Sequence, residues 1–174
     1  MVQDPDYTAF AISRKNIIFG QPVHYKAFWP DWVVRLIKKD KLSGFIGKIH
    51  ETPQVEGKIG YSKNSLLHLT HRNLDQVVLK SLSWSRIDAG LRFEANHPPM
   101  TGWRFLRILV SETWQQGMMR RGFFAGTVGV IDSLLQVFSM LLSYIRLWEL
   151  QQHPGLDEVY KKLDERLEQN NFKD

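Results

Sequence analysis

The sequence predicts an α+β fold, in which a β-rich first part is followed by a helical second part. Up to about residue 73, runs of β-branched and aromatic residues are interrupted by Pro and Gly, as in short strands joined by turns. From Leu74 onward, apolar residues recur every three or four positions, which is the period of an α-helix. We therefore divide the chain into residues 1–73, a connecting helix in 74–100, amphipathic helices in 101–152 and a charged tail in 153–174.

The composition is that of a folded domain with anionic partners. Of the 174 residues, 43% are apolar and 24% charged, and the absence of Cys excludes disulfides and thiolate metal sites. Residues 1–122 hold 18 Lys and Arg against 10 Asp and Glu, whereas residues 123–174 hold 5 against 8. A basic front half favours phosphate or acidic lipid. The basic residues are scattered and form no nucleic-acid motif, so we expect no nucleic-acid partner.

Three stretches of the first part are predicted strands. They are YTAFAISRKNIIFG at 7–20, WPDWVVRLIKK at 29–39 and SGFIGKIHE at 43–51. The stretch PQVEGKIGYSKN at 53–64 is predicted to be a turn-rich loop, because Pro53, Gly57 and Gly60 punctuate it.

Four helices are predicted in the second part. The first starts near Leu74, with Asn73 or Asp75 as its cap, and the next two span about 101–118 and 123–152. The face predicted for the first comprises Leu74, Val77, Val78, Ser81, Leu82, Ser85 and Ala89. A short charged helix ends the chain, supported by the i, i+4 pairs Asp157/Lys161 and Glu158/Lys162.

The third helix is apolar around most of its circumference. Its polar residues form one narrow stripe, made by Asp132, Gln136, Ser139, Ser143 and Arg146. About 20 such residues are long enough to span a bilayer, but an Asp near the middle disfavours insertion. The alternatives are a helix pair in the membrane surface, or one buried against the core or another subunit.

The width of the apolar faces favours membrane-surface attachment. In the preceding helix, Trp103, Leu106, Val110 and Trp114 take one side, and Arg104, Arg107, Ser111 and Gln115 share another. Five residues are of the kinds that anchor a protein at a membrane interface: Trp103, Trp114, Trp148, Arg120 and Arg121.

Several polar residues are candidates for a functional site. They are Asp31, Arg35, His50, Glu51, His68, His71, Arg72 and Lys80. A carboxylate such as Glu51 can act as a general base, and arginines and lysines can hold phosphate oxygens. His68 and His71 have too few further ligands nearby for a structural zinc site. Each residue alone also has a structural explanation, such as capping a turn or covering a solvated face.

Six segments, taken in order, carry a family resemblance. They are ISRKNIIFG, WPDWVVRLIKKD, GKIHETPQVEGKIGY, LLHLTHRNL, VLKSLSWSRIDA and RRGFFAGTVGVIDSLLQVFSMLLSYIRLWE. In this order they resemble the C-terminal half of bacterial family 2 glycosyltransferases, in the branch that acts on lipopolysaccharide core and other cell-surface glycans. The resemblance covers residues 7–152, and it implies the acceptor-side strands of a GT-A-type domain followed by an amphipathic helical hairpin.

The resemblance also implies an inverting sugar transfer and roles for individual residues. It assigns the base to Glu51, with His50 positioning it or the sugar. Asp31 and Arg35 would shape the acceptor side. His68 or His71 would lie near the diphosphate or metal, with Arg72 and Lys80 as further cations for the substrate.

The substrates implied are a nucleotide sugar and a glycan or lipid-linked acceptor, used on the inner face of the cell membrane. A divalent cation, Mg²⁺ or Mn²⁺, would act in the complete enzyme, but we assign no metal ligand in this chain. The family's nucleotide-binding half, with its Asp-x-Asp motif, falls outside the resemblance, and a separate chain is one source for it. Ala125 also stands where relatives have Asp. The alternative function is a non-catalytic module that binds a membrane surface or a partner.

Overall fold

The computed structural model describes residues 6–24, 29–47 and 51–168, and its architecture is α+β, as predicted. Seven strands come first: Ala9–Ile18 (β1), Gln21–Val23 (β2), Asp31–Ile37 (β3), Leu42–Ile46 (β4), Thr52–Val55 (β5), Ile59–Tyr61 (β6) and Leu66–Thr70 (β7). Four helices follow: Leu74–Glu94 (α1), Gly102–Thr113 (α2), Gly126–Leu150 (α3) and Leu156–Glu168 (α4). The predicted change from strands to helices near Leu74 is confirmed.

The ten-residue strand β1 is the centre of the main sheet, because β2, β3, β6 and β7 all pair with it. On one edge, β1 pairs antiparallel with β3 through residues 9–14 and with β2 through residues 16–18. On the other edge, it pairs parallel with β6 and β7. Phe19 and Gly20 turn the chain from β1 into β2 with φ values of 47° and 75°, as a two-residue type I′ hairpin requires.

The prediction of a loop over residues 53–64 is wrong. β5 lies within it and pairs with β4 in a separate two-stranded sheet, while β6 joins the main sheet. From the sequence alone, Gly60 in β6 indicates a turn. The ring of Phe10 lies close to this glycine, and a Cβ at position 60 would be 2.7 Å from a ring carbon of Phe10. The glycine is there for a close approach between strands and not for a turn.

The helix termini follow local sequence signals. The Oδ1 atom of Asn73 caps α1 by accepting a hydrogen bond from the Gln76 N–H at 2.9 Å, as predicted. α2 is shorter than predicted, because the chain passes into a π-helical turn at Trp114–Met119. In α4 the predicted Glu158/Lys162 pair forms at 2.6 Å.

Two apolar clusters hold the layers together. Ile18 and Val23 of the sheet pack against Val128 near the start of α3. The second cluster joins α1, α2 and α3 through Ala89, Met100, Ile108 and Leu147.

The polar stripe of α3 faces the interior together with Val128, Val137 and Leu147, and several other large apolar residues of α3 face outward. Asp132 and Ser143 are buried, and Arg146 donates a hydrogen bond from Nε to Ser85 Oγ of α1 at 2.9 Å. The exposed side chains of α3 include Ile131, Leu134, Phe138 and Ile145. This differs from the arrangement expected for a helix on the surface of a protein in water.

A close backbone contact sets the start of α3. The short 3₁₀ turn Gly122–Phe124 lies against α3 at Gly129, where a Cβ would be 2.4 Å from the Gly122 carbonyl oxygen. Neither backbone atom can move without shifting a whole element, so only glycine fits at position 129.

We predict that Gly129→Ala lowers the free energy of unfolding by about 1–3 kcal/mol, because the added methyl group overpacks this contact. The matched control is Gly90→Ala in α1, where a Cβ meets nothing within 4 Å. That substitution should raise stability by about 0.5–1 kcal/mol through helix propensity. Urea unfolding followed by circular dichroism measures both changes. Equal effects of the two substitutions would contradict the packing described.

Candidate functional site

A cluster of four polar residues lies on one face of the main sheet. It comprises Arg14 and Asn16 of β1, Asp31 of β3 and His68 of β7, and we call it the strand-face cluster. Positions 14 and 16 share a face because side chains alternate along a strand. The register pairs Arg14 with Asp31 and Asn16 with His68, which brings all four side chains to the same side.

Hydrogen bonds connect the strand-face cluster in a single line. Arg14 donates two hydrogen bonds to Asp31, from Nε to Oδ2 at 2.8 Å and from Nη2 to Oδ1 at 3.1 Å. Asn16, 1% exposed, donates from Nδ2 to Asp31 Oδ2 at 2.9 Å. Nδ1 of His68 lies 2.6 Å from Asn16 Oδ1. A bidentate Arg–carboxylate pair is rigid, so the line is anchored at its Asp31 end.

The surroundings of His68 favour its neutral form. Desolvation lowers the pKa of His68 below 6.5, the positive charge of Arg14 lowers it further, and the carboxylate of Asp31 opposes this in part. Lys80 and His71 also lower this pKa, so both lie within electrostatic reach of the imidazole.

A second polar contact joins the sheet to α3. Nδ1 of His71, just after β7, lies 3.2 Å from Oδ1 of Asp132, a carboxylate that is 1% exposed. His71 has φ +47° and its carbonyl oxygen accepts a hydrogen bond from the Phe19 N–H. Beside this contact lies a cavity of about 50 Å³, lined by residues that include His71, Lys80 and Gln136. The left-handed backbone therefore aims the imidazole at α3.

The structure brings half of the predicted site residues together. Asp31 and His68 belong to the strand-face cluster, and His71 and Lys80 line the adjacent cavity. The ammonium of Lys80 also lies 4.4 Å from the ring centroid of Trp84, a cation–π contact.

The other predicted residues lie apart or outside the described residues. Arg35 is exposed at an irregularity in the β1–β3 register, and Arg72 is exposed beyond β7. Glu51 is exposed at the start of β5, and within residues 6–24, 29–47 and 51–168 no hydrogen bond or ion pair joins it to the strand-face cluster. His50 lies outside the described residues.

The divalent cation that the resemblance implies for the complete enzyme has no assigned ligand in this chain and stays a prediction. Across those residues, no group of three or more His, Cys, Asp or Glu side chains is placed to hold a metal ion. His71 and Asp132 already bond to each other, and His68 Nδ1 is committed to Asn16. No step of the proposed reaction uses a metal ion.

Three residues of the site were missing from the predicted set: Arg14, Asn16 and Asp132. The sequence carries a signal for each. Arg14 and Asn16 stand two apart in a predicted strand, so they share a face that is otherwise apolar. Asp132 is the one carboxylate in α3 before Glu149, and a charge in an apolar helix needs a partner.

Comparisons with models of known protein families, with curated proteins and with solved structures found no match.

We predict that Asp132→Ala lowers the free energy of unfolding by about 1–3 kcal/mol, because it leaves the mostly buried His71 Nδ1–H without its acceptor. The control is Asp164→Ala, an exposed carboxylate of α4, which should change stability by less than about 0.5 kcal/mol. Denaturant titrations of the three proteins give the comparison. If Asp132→Ala were as stable as the control, the contact between the sheet and α3 would contribute nothing measurable to the free energy of unfolding.

Proposed function

We propose that this chain supplies the acceptor-side part of an inverting glycosyltransferase that works on a membrane surface. In the proposed reaction, an acceptor hydroxyl oxygen bonds to the anomeric carbon of a nucleotide sugar. The bond from that carbon to the phosphate oxygen breaks, the nucleoside diphosphate leaves, and the hydroxyl proton passes to a base.

The observation that carries the proposal is the meeting, in space, of segments that carry the family resemblance. Arg14 and Asn16 come from ISRKNIIFG, Asp31 from WPDWVVRLIKKD and His68 from LLHLTHRNL, and their side chains form one hydrogen-bonded line. A line of polar residues drawn from three distant segments is typical of a site that positions a ligand. A merely solvated face would not require an Asn that is 1% exposed.

Within this proposal, Asp31 positions other groups and does not act as the base. Its two oxygens already accept hydrogen bonds from Arg14 and Asn16, and the guanidinium offsets its charge. Lys80, near His68, supplies positive charge for a departing diphosphate. The assignment of the base to Glu51 rests on the resemblance alone and stays a prediction.

The exposed apolar outer face of the main sheet supports the proposal that a partner contributes the nucleotide site. This face is opposite the strand-face cluster and exposes Trp32, Tyr61, Leu67 and Leu69. The rings of Trp32 and Tyr61 meet edge to face across β1, with centroids 5.0 Å apart. A contiguous exposed apolar patch of this kind is typical of a surface that a partner covers. We infer that the nucleotide-binding part of the enzyme packs against this apolar face.

The transferase proposal is tested by sugar transfer. We expect nucleoside diphosphate release from a panel of UDP-, GDP- and dTDP-sugars, with envelope lipid extract as acceptor, when the chain is co-expressed with the segment encoded next to it. Asp31→Ala should lower the rate by about tenfold or more, since it removes the anchor of the cluster. Asp40→Ala removes an exposed carboxylate near Lys41 and should leave the rate unchanged.

The pattern of rates separates the outcomes. Equal rates with and without the neighbouring segment would contradict the division of the site between two parts. A lack of release across the whole panel would contradict the transferase proposal.

The membrane part of the proposal rests on the outward apolar faces of α2 and α3. α3 is long and apolar enough to cross a membrane by length and composition, and 33% of its most apolar 18-residue stretch is buried inside the protein. Asp132 is buried and Arg146 bonds to Ser85 of α1, so the polar stripe faces the interior and a position along the membrane surface fits α3 better than a span.

The exposed face of α2 has the residues of an interfacial helix. Trp103, Leu106, Val110 and Trp114 line an open apolar groove. Its rim carries Arg107, and Arg120 and Arg121 follow the helix, all exposed. Tryptophans at the headgroup level and arginines beside them favour a bilayer with anionic lipids.

We predict that the chain floats with vesicles that contain anionic phospholipid and less with neutral phosphatidylcholine vesicles. Trp114→Asp should abolish flotation, because it places a charge in the apolar groove. The matched control is Leu79→Asp, which changes an equally exposed apolar residue on α1, away from this groove. Flotation that is the same for both variants would contradict the assigned face.

The alternative function, a non-catalytic module that binds a membrane or a partner, shares this apolar face. It differs in leaving the strand-face cluster without a substrate. Flotation that depends on Trp114, combined with no transfer in the assay above, would select it.

A further inference from the structure

We propose that His68 is the residue that takes the proton from the acceptor hydroxyl, through its Nε2 atom. This inference rests on the proposed transferase function and names the base of that same site. It is the alternative to Glu51, the base that the resemblance implies.

The hydrogen-bond line fixes which nitrogen of His68 carries a proton. Asp31, held by Arg14, is a carboxylate and only accepts hydrogen bonds. Asn16 must therefore turn its NH₂ group toward Asp31, which leaves its carbonyl oxygen facing His68. A carbonyl oxygen accepts, so Nδ1 of His68 is the donor. In the neutral imidazole, Nε2 then holds the lone pair.

The lone pair on Nε2 is open to a ligand. Nε2 has no hydrogen-bond partner among residues 6–24, 29–47 and 51–168. Every buried side-chain nitrogen or oxygen in those residues has a partner. It follows that Nε2 reaches solvent, where a hydroxyl group can approach it.

The charged groups around His68 keep this lone pair available near neutral pH. Arg14 on β1, Lys80 on α1 and His71 after β7 oppose a positive charge on the imidazole, and Asp31 on β3 favours one. The pKa of His68 is lowered below 6.5, mainly by desolvation. At pH 7 most molecules therefore carry neutral His68.

The proposed step needs only the acceptor, the nucleotide sugar, His68 and water. The acceptor O–H bond breaks as the new bond from oxygen to the anomeric carbon forms, and the proton moves to Nε2. The electron pair of the broken sugar–phosphate bond leaves with the nucleoside diphosphate. His68 becomes imidazolium. The negative charge of Asp31, which is hydrogen-bonded to His68 through Asn16, stabilises the imidazolium until the proton passes to water.

Nuclear magnetic resonance tests the geometry without any substrate. In the full chain labelled with ¹⁵N-histidine, the His68 signals are assigned by their loss in His68→Gln. We expect a protonated Nδ1 and an unprotonated Nε2 at pH 7.5. Asp31→Asn, which is nearly isosteric, should weaken this preference because an amide does not dictate the orientation of Asn16. A protonated Nε2 in the wild-type neutral ring would overturn the inference.

Kinetics in the complete transferase test the role. His68→Gln should lower kcat by about 10²–10⁴-fold, with little change in the KM of the nucleotide sugar. The wild-type rate should fall as the pH drops through the pKa of His68, below 6.5, and this fall should disappear in His68→Gln. Glu51→Gln is the rival variant and should keep the acid fall.

The outcomes of the two experiments are distinct. If Glu51→Gln loses the activity while His68→Gln retains it, His68 is not the base, although sugar transfer stands. If no variant and no wild-type protein transfers sugar while the predicted tautomer is observed, the transferase function fails, and the catalytic role of His68 fails with it.

Discussion

The buried carboxylate of Asp132 sets how the helices meet the sheet. An unpaired charge in the protein interior is strongly unfavourable, so α3 must turn this residue toward a donor. His71 is that donor, held in a left-handed conformation at the end of β7. Once this contact forms, the rotation of α3 about its own axis is fixed. Its polar stripe faces α1, and other large residues such as Ile131, Leu134 and Phe138 stay exposed.

The fold leaves two apolar surfaces exposed. One consists of the outward sides of α2 and α3, and the other is the outer face of the main sheet. The two apolar clusters that hold the layers together are small, and many large side chains such as Trp103, Phe124 and Leu67 stay exposed. A lipid surface on the helices and a protein partner on the sheet would remove both from water. The two parts of the proposed function thus use the two faces that the fold leaves uncovered.

Local signals in the sequence predicted the helical part well. The cap at Asn73 and the buried face of α1 through Val77, Ser81, Ser85 and Ala89 depend on residues close in sequence. Leu74, assigned to the same face, is exposed in the first turn of the helix. The strand β6 escaped prediction because its partner β1 lies far away in sequence, and its Gly indicates a turn. The strand β5 pairs with the nearby β4, but its Pro also indicates a turn.

The candidate site was predictable only in part, because its contacts join residues that are far apart in sequence. His68 and His71 stood out because histidines are few and lie together. Their partners are 52 and 61 residues away, and no periodicity links them. The alternation of Arg14 and Asn16 on a buried strand, and the lone carboxylate of an apolar helix, were the available clues. Glu51 stood out beside a histidine, yet it is exposed, and β5, which follows it, belongs to the small sheet.

The position of β1 has a consequence for how the chain is made. This strand is synthesised before its partners, and its parallel neighbours β6 and β7 begin only at Ile59 and Leu66, tens of residues later. Parallel pairing across such separations is slow, because the intervening chain must close first. During translation an apolar strand therefore emerges from the ribosome before it has neighbours on that edge. Until β6 and β7 pair with it, this unpaired apolar edge favours aggregation of the nascent chain.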